Sequence, residues 1–347
     1  MEHNMIIIAQ GLAEVLQRGK VRHLEKGYMT DAERGWSGAE VRRLEVTYEN
    51  GQKESMIFKE AALKERMAMK TLTDQGHRNT PAAFSLDIVT DEPRWMAIED
   101  LGSVKSPPPG VDWSPRVVEA LARIHTRNMQ RGQDMLWLPH ADAQYWEKYL
   151  ITLVSVDHFE TLMDQNPEFC REFGAYLPSL RDKSSAFARD MAALYVEKES
   201  LTLTHGDLQS VDGSHIHYYN GKPYFIDFGW CYYAPFYIDL ASYFNLEEAK
   251  LYYNELIANG VSLRYDDFYE RIRASFRYSG LIYLCPSIRQ WSLGPTELTG
   301  KRLLQMLKIV LTGEFPERRI DYSSELFSKL LKEHKNGTLH KLNGNIF

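Results

Sequence analysis

Cysteine is scarce in this chain of 347 residues, with only three present. Cys170, Cys231 and Cys285 are widely spaced and odd in number, which excludes a disulfide framework and a thiolate metal centre. They read as reduced core thiols, as expected of a cytoplasmic protein. Long apolar runs are missing as well. Met5 to Ala9 and Leu281 to Cys285 are among the longest, against the ~20 residues that a spanning helix needs. The opening Met1-Glu2-His3-Asn4 has no basic segment, so no signal peptide is expected. Positive charge is not in excess either. Lys and Arg number 41 against 47 Asp and Glu, a net charge of −6, and neither a nucleic acid nor a membrane surface is an expected partner. Internal repeats and low-complexity segments are absent.

What is present fits an ordinary globular protein, 44% hydrophobic and 25% charged, long enough for two lobes with their own cores. Residues 4–19 carry apolar positions at helical spacing: Ile7, Leu12, Val15 and Leu16. A strand-rich stretch follows. Val41 to Tyr48 alternates, with Leu44, Val46 and Tyr48 on one face, and Glu54 to Lys59 repeats that period. Asn50-Gly51 between them predicts a type I′ hairpin. Ala61 to Gln75 reads as a helix and Arg94 to Glu99 as a strand. Ser106-Pro107-Pro108-Pro109-Gly110 then marks a stiff linker. Beyond it the pattern is mainly helical, starting with Pro115 to Arg127 and its stripe of Val117, Leu121 and Ile124. Leu201 to Thr204 leads into one embedded hairpin, in which His215 to Tyr219 and Pro223 to Phe228 flank Asn220-Gly221. Helical patterns return from Asp239 to about residue 333. The predicted fold class is α+β, with a β-rich lobe over residues 1–102 and a larger, mostly helical lobe over residues 103–347.

The chemistry concentrates in two short motifs. Thr204-His205-Gly206-Asp207-Leu208 and Tyr224-Phe225-Ile226-Asp227-Phe228-Gly229 each set an aspartate just past an apolar strand. The hairpin between them returns the chain, so both carboxylates are expected to face one site. Such a pair suits phosphoryl transfer: one carboxylate orients an acceptor hydroxyl and takes its proton, while the other holds Mg²⁺ on nucleotide phosphates.

These motifs resemble those of the aminoglycoside phosphotransferase and choline kinase superfamily, small-molecule kinases with a bilobal protein-kinase-like fold. Leu121-Ala122-Arg123-Ile124-His125 is similar to the helix that opens that family's large lobe, and Tyr237-Ile238-Asp239-Leu240-Ala241 to its Asp-Leu-Ala segment. The resemblance spans about residues 27–244. It implies Asp207 as catalytic base, Asp227 as the principal Mg²⁺ ligand and Asp239 as a brace for the catalytic loop. It further implies Lys59, in Met56-Ile57-Phe58-Lys59, as the strand lysine that meets nucleotide phosphates, with Glu65 as its helix partner and Glu60 as a rival. Gly35-Trp36-Ser37-Gly38-Ala39-Glu40 resembles the nucleotide-positioning loop, giving Ser37 and Gly38 to the nucleotide. Residues 99–102 resemble the hinge, where backbone groups near Glu99 and Leu101 would meet adenine. The family's second metal ligand, an asparagine, is missing: counting forward from Asp207 reaches Asp212, and counting back from Asp227 reaches Ser214.

The implied reaction is nucleotide-dependent phosphorylation, with ATP or GTP and Mg²⁺, of a hydroxyl on a small molecule. An antibiotic of aminoglycoside, macrolide or peptide type leads as the acceptor. The alternatives are a metabolic kinase of choline, homoserine or thiosugar type, and a nucleotide-binding protein with impaired catalysis. Asp157, Glu160, Glu247, Glu248, Asp266 and Asp267 are the carboxylates available to a polycationic acceptor. His215 and His217 share a strand face, where packing is a commoner role than metal binding. Trp230, Tyr232, Tyr233, Phe236 and Tyr237 suit an acceptor pocket or a packed core equally.

Overall fold

The structure, a computed structural model, describes residues 2–29, 39–76, 79–102, 112–148, 151–195, 198–210 and 213–314. It is an α+β protein whose chain divides into two compact units: residues 1–120 with 214–231, and residues 121–213 with the rest of the chain from 232.

The first unit opens with α1 (Glu2–Val15), followed by β1 (Val21–Lys26), β2 (Val41–Tyr48), β3 (Lys53–Ala61), α2 (Leu63–Asp74), β4 (Ala83–Phe84) and β5 (Arg94–Glu99). The strands form one antiparallel sheet in the order β1-β2-β3-β5-β4. Alternation works as expected here: Leu44, Val46, Tyr48, Met56 and Phe58 are all buried. The helix α1 covers that apolar face with Met5, Ile8, Ala9, Leu12 and Ala13. The predicted face was turned, because Ile7 and Val15 are exposed. The run Ile6-Ile7-Ile8 fits two stripes, and the small residues Ala9 and Ala13 let the helix lie close to the sheet.

The two Asn-Gly turns differ. At Asn220-Gly221 both residues have positive φ, +48° and +76°, and two residues join β9 (Ile216–Tyr219) to β10 (Lys222–Phe225), as a type I′ turn requires. Between β2 and β3 only Gly51 has positive φ. That connection spans four residues, closed by Gly51 N–H donating to Tyr48 O and Tyr48 N–H donating to Gln52 O.

The helix α3 (Ser114–Asn128) begins in the first unit and ends in the second, with Val117, Leu121 and Ile124 buried as its stripe predicts. The second unit continues with α4 (Ala143–Lys148), α5 (Ile151–Gln165), α6 (Pro167–Phe173), α7 (Leu177–Tyr195), β6 (Leu201–Thr204) and β7 (Gln209–Ser210). Strand β8 (Gly213–Ser214) straddles the boundary. After β9 and β10 come β11 (Tyr232–Pro235), α8 (Tyr237–Tyr243), α9 (Leu246–Ala258), α10 (Tyr265–Leu293) and α11 (Glu297–Thr312). Strand β6 leads along the chain towards the hairpin, as expected, and pairs antiparallel with β11. No helix among the described residues is long and apolar enough to cross a membrane.

The boundary expected at Gly102 shifts for a physical reason. The β9–β10 hairpin belongs with the sheet unit, because Phe225 N–H donates to Asn79 O at 2.8 Å and Asn79 Nδ2 donates to Pro223 O at 2.9 Å. The start of α3 joins the same unit through Trp113, edge-on to Tyr218, and Arg116, which donates to Gly221 O. The linker over residues 106–110 and the helical pattern beyond residue 314 lie outside the described residues.

Candidate functional site

Within the first unit, three charged side chains meet. Lys59, on the strand face opposite Met56 and Phe58, donates from Nζ to Glu65 Oε1 and to Asp227 Oδ1, each at 2.7 Å. Of the two rival glutamates, Glu65 is thus the partner of Lys59. It stands in the first turn of α2 and is buried. Burial alone would lower the Lys59 pKa, but the two carboxylates outweigh it and hold the ammonium firmly protonated.

Asp227 sits in left-handed backbone, φ +61° and ψ +67°, a conformation that a non-glycine residue adopts at a cost of about 1–3 kcal/mol. It turns the chain out of β10 into the short 3₁₀ turn Phe228–Trp230. That turn is pinned to α2: Cys231 Sγ donates to Lys64 O at 3.6 Å, and the Lys64 ammonium lies 5.9 Å from the Trp230 ring centre. A Cβ at Gly229 would come within 3.2 Å of Asp227 Oδ1, so glycine there keeps room beside the carboxylate. That carboxylate is 37% exposed. A partly open, hard-oxygen donor fits Mg²⁺, which keeps several waters and needs only one or two carboxylates. Among the described residues, no group of three or more His, Cys, Asp or Glu side chains is arranged to hold a metal ion.

Residues 99–102 are tied to the same sheet. Asp100 accepts from Arg43 Nε at 2.7 Å, from the Ser55 hydroxyl, and from Gly102 N–H at 2.8 Å. Burial works against its charge, yet these donors outweigh it and hold the carboxyl below its usual range. Glu99 N–H donates to Ala82 O and Glu99 Oε2 accepts from Ala82 N–H, while Leu101 is buried.

In the second unit, Asp207 ends a run of three residues whose backbone N–H groups all donate to side chains. Asp239 accepts from His205 N–H and Gly206 N–H, each at 2.7 Å. Asp239 in turn bonds His125 Nε2 at 3.0 Å, and His125 Nδ1 meets the Tyr252 hydroxyl at 2.7 Å. All of these groups are buried. Gly206 has φ +82°, which favours glycine between the histidine and the aspartate. Asp207 N–H donates to His205 Nδ1 at 3.3 Å, and the Asp207 carboxylate accepts from the Tyr283 hydroxyl at 2.7 Å.

The other sequence candidates separate. Ser37, Gly38 and Asp212 lie outside the described residues, and Ser214 is described only as backbone of β8. Tyr232, Tyr233, Phe236 and Tyr237 are buried, as core packing requires, while Trp230 is partly exposed. Glu160 pairs with Arg181, Glu248 caps α9 with Asn245, and Asp266 and Asp267 pair with Arg264. Sequence reading missed Arg66 and Tyr283. Arg66 carried one usable signal, an arginine beside the expected Glu65 on a mostly apolar helix face.

No family model matches the chain, and no curated protein does. Solved structures match it in fold. A choline kinase from Cryptosporidium parvum Iowa II gives a TM-score of 0.57 at 11% identity, over 95% of this chain and 98% of that one. An amicoumacin kinase solved with AMP-PNP and Ca²⁺ gives 0.54 at 15% identity, over 93% and 96%. A spectinomycin phosphotransferase solved with ADP and spectinomycin gives 0.51 at 11% identity, over 88% and 98%. At these identities the likeness is one of fold alone, a fold that the chain shares with these small-molecule kinases.

Proposed function

We propose that this protein is a nucleotide-dependent phosphotransferase acting on a hydroxyl of a small molecule. The observation that carries the reading is Lys59 bonded at 2.7 Å to both Glu65 and Asp227. A buried charge needs a partner, but one glutamate would suffice. A lysine that also holds a second, partly exposed carboxylate on strained backbone is arranged for phosphate and cation chemistry. In this reading Lys59 holds nucleotide phosphates and Glu65 keeps it aimed. Asp227 holds Mg²⁺, with Asp212 or Ser214 as the second donor. The bound cation supplies charge neutralisation on the phosphates. Asp207 orients the acceptor hydroxyl and accepts its proton, and Ser37, Gly38, Glu99 and Leu101 contact the nucleotide, ATP or GTP.

An antibiotic is the proposed acceptor class, supported by the spectinomycin and amicoumacin enzymes that share the fold. The acceptor is an antibiotic of aminoglycoside, macrolide or peptide type. Choline is the second reading, because a choline kinase shares the fold over 98% of its own length.

The test is coupled ADP release with Mg²⁺ and ATP against kanamycin, spectinomycin, a macrolide, a peptide antibiotic and choline. One acceptor is expected to stimulate turnover. Asp207→Ala should lose at least ~10³-fold of that turnover, the scale on which a positioned base acts, with nucleotide affinity held within about threefold. Asp227→Ala should also lose Mg²⁺-dependent nucleotide binding. Wild-type turnover retained by Asp207→Ala contradicts the assignment of the base.

A further inference from the structure

The Asp207 segment leaves one degree of freedom that the backbone bonds do not fix. Asp239 holds the His205 and Gly206 amides, and the Tyr278 hydroxyl donates to Gly206 O at 3.3 Å. His205 Nδ1 takes the Asp207 amide. These contacts locate the Asp207 Cα but not the plane of its carboxylate. A residue 76 positions away, Tyr283, reaches that carboxylate: its hydroxyl donates to Asp207 Oδ1 at 2.7 Å.

Tyr283 is well placed for the task. Its side chain lies in α10 with only 4% of the residue exposed, so its ring is packed and its hydroxyl has few places to go. Local chemistry in the helix supports it further. Pro286 sits inside α10 and removes the amide that would bond the carbonyl four residues back. One residue on from that point, the Ser287 hydroxyl donates to Tyr283 O at 2.7 Å, and so the turn carrying Tyr283 gains a side-chain tie where the helix loses a backbone one.

We infer that Tyr283 is a positioning residue for Asp207, fixing the carboxylate's orientation for the acceptor hydroxyl. The inference rests on the proposed role of Asp207 as base. Phosphoryl transfer through a loose transition state asks little proton abstraction of the base, so a phenol bond that lowers its basicity costs less than a wandering carboxylate would. His205, Asp239 and Tyr278 also touch the segment, and all three persist when Tyr283 alone is changed.

The test uses the full chain as Tyr283→Phe, which keeps the ring and removes the hydroxyl. Aspartate labelled with ¹³C at Cγ reports the Asp207 titration, assigned by the resonance lost in Asp207→Asn. In Tyr283→Phe the Asp207 midpoint should rise by about one pH unit, the value of a lost hydrogen bond to a charged group. With Mg²⁺, ATP and the acceptor that turns over best, kcat should fall about tenfold while KM and nucleotide affinity stay within twofold. In the Asp207→Asn background the same change should cost nothing further, because a residue acting through Asp207 has nothing left to act on. An unmoved Asp207 midpoint with unchanged kcat overturns the inference and leaves the proposed function standing. Loss in KM alone also overturns it, making Tyr283 a binding group. Silence of the wild type toward every acceptor overturns both.

Discussion

At the scale of single residues, the site elements are charges that burial makes expensive. Lys59 faces two carboxylates, and removing it would leave Glu65 and Asp227 as neighbouring like charges in a poorly solvated place. A half-buried group on the β9–β10 hairpin shows the same physics in pH. His217, opposite Tyr224 across the hairpin, has its pKa lowered from 6.5 to about 4, by burial first and then by His215. The folded form therefore stays neutral where the unfolded chain already binds a proton. Between about pH 6.5 and 4 the unfolded state holds more protons, so stability falls as pH falls, by about 1.4 kcal/mol per unit from this group. Urea unfolding at pH 6.5, 5.5 and 4.5 should show that slope reduced in His217→Gln relative to wild type. An identical slope in the two proteins contradicts the assignment. Asp227 was legible in the sequence because it stands just past an apolar strand, and Lys59, inside β3, because Met56-Ile57-Phe58-Lys59 resembles the strand of a known family. Tyr283 was not, because its partner lies 76 residues away and an aromatic at helical spacing reads as core.

At the scale of elements, α2 is the part that aims Glu65, and a buried arginine holds it. Arg66 is 1% exposed and donates to four backbone carbonyls: Asp87 O at 2.8 Å, Thr90 O at 2.7 Å, Glu92 O at 3.0 Å, and Ala61 O. One guanidinium thus fastens the start of α2 to the connection between β4 and β5, a fork that a lysine cannot imitate. Arg66→Met keeps much of the packing volume but orphans those carbonyls, and should destabilise the protein by about 3–5 kcal/mol. Arg66→Lys should recover less than half of that loss. Chemical denaturation checks both; a loss under 1 kcal/mol in Arg66→Met contradicts the clamp. Strand and helix elements were readable where one face alternates cleanly, as in β2, β3 and α3. The failures have physical causes. The apolar run in α1 satisfied two helical faces, and the Asn50-Gly51 pair lacked the positive φ at Asn50 that a type I′ turn demands. The pairing of β6 with β11 is non-local, and no periodicity within β6 announces its partner.

At the scale of the whole molecule, the chain is discontinuous in a way that composition cannot reveal. The Pro-rich linker drew the expected boundary to Gly102, yet the first unit runs to Ala120 and takes back residues 214–231. That borrowed segment carries Asp227 and supplies the partners of Asn79, Trp113, Arg116 and Lys59. The first unit is therefore incomplete as a continuous N-terminal piece. Residues 1–120 expressed alone should lack the hairpin's hydrogen bonds and leave the Lys59–Glu65 pair without its second carboxylate. Such a fragment is expected to bind a hydrophobic dye and to unfold without a cooperative transition. Joining residues 214–231 to Ala120 through a flexible Gly/Ser linker should restore cooperativity, because the loop-closure cost grows only slowly with linker length. Calorimetry of the two forms separates the cases. A cooperative transition in residues 1–120 alone, at the midpoint of the joined form, would mean that the hairpin is a passenger on the sheet unit and that Asp227 reaches Lys59 without helping to build it.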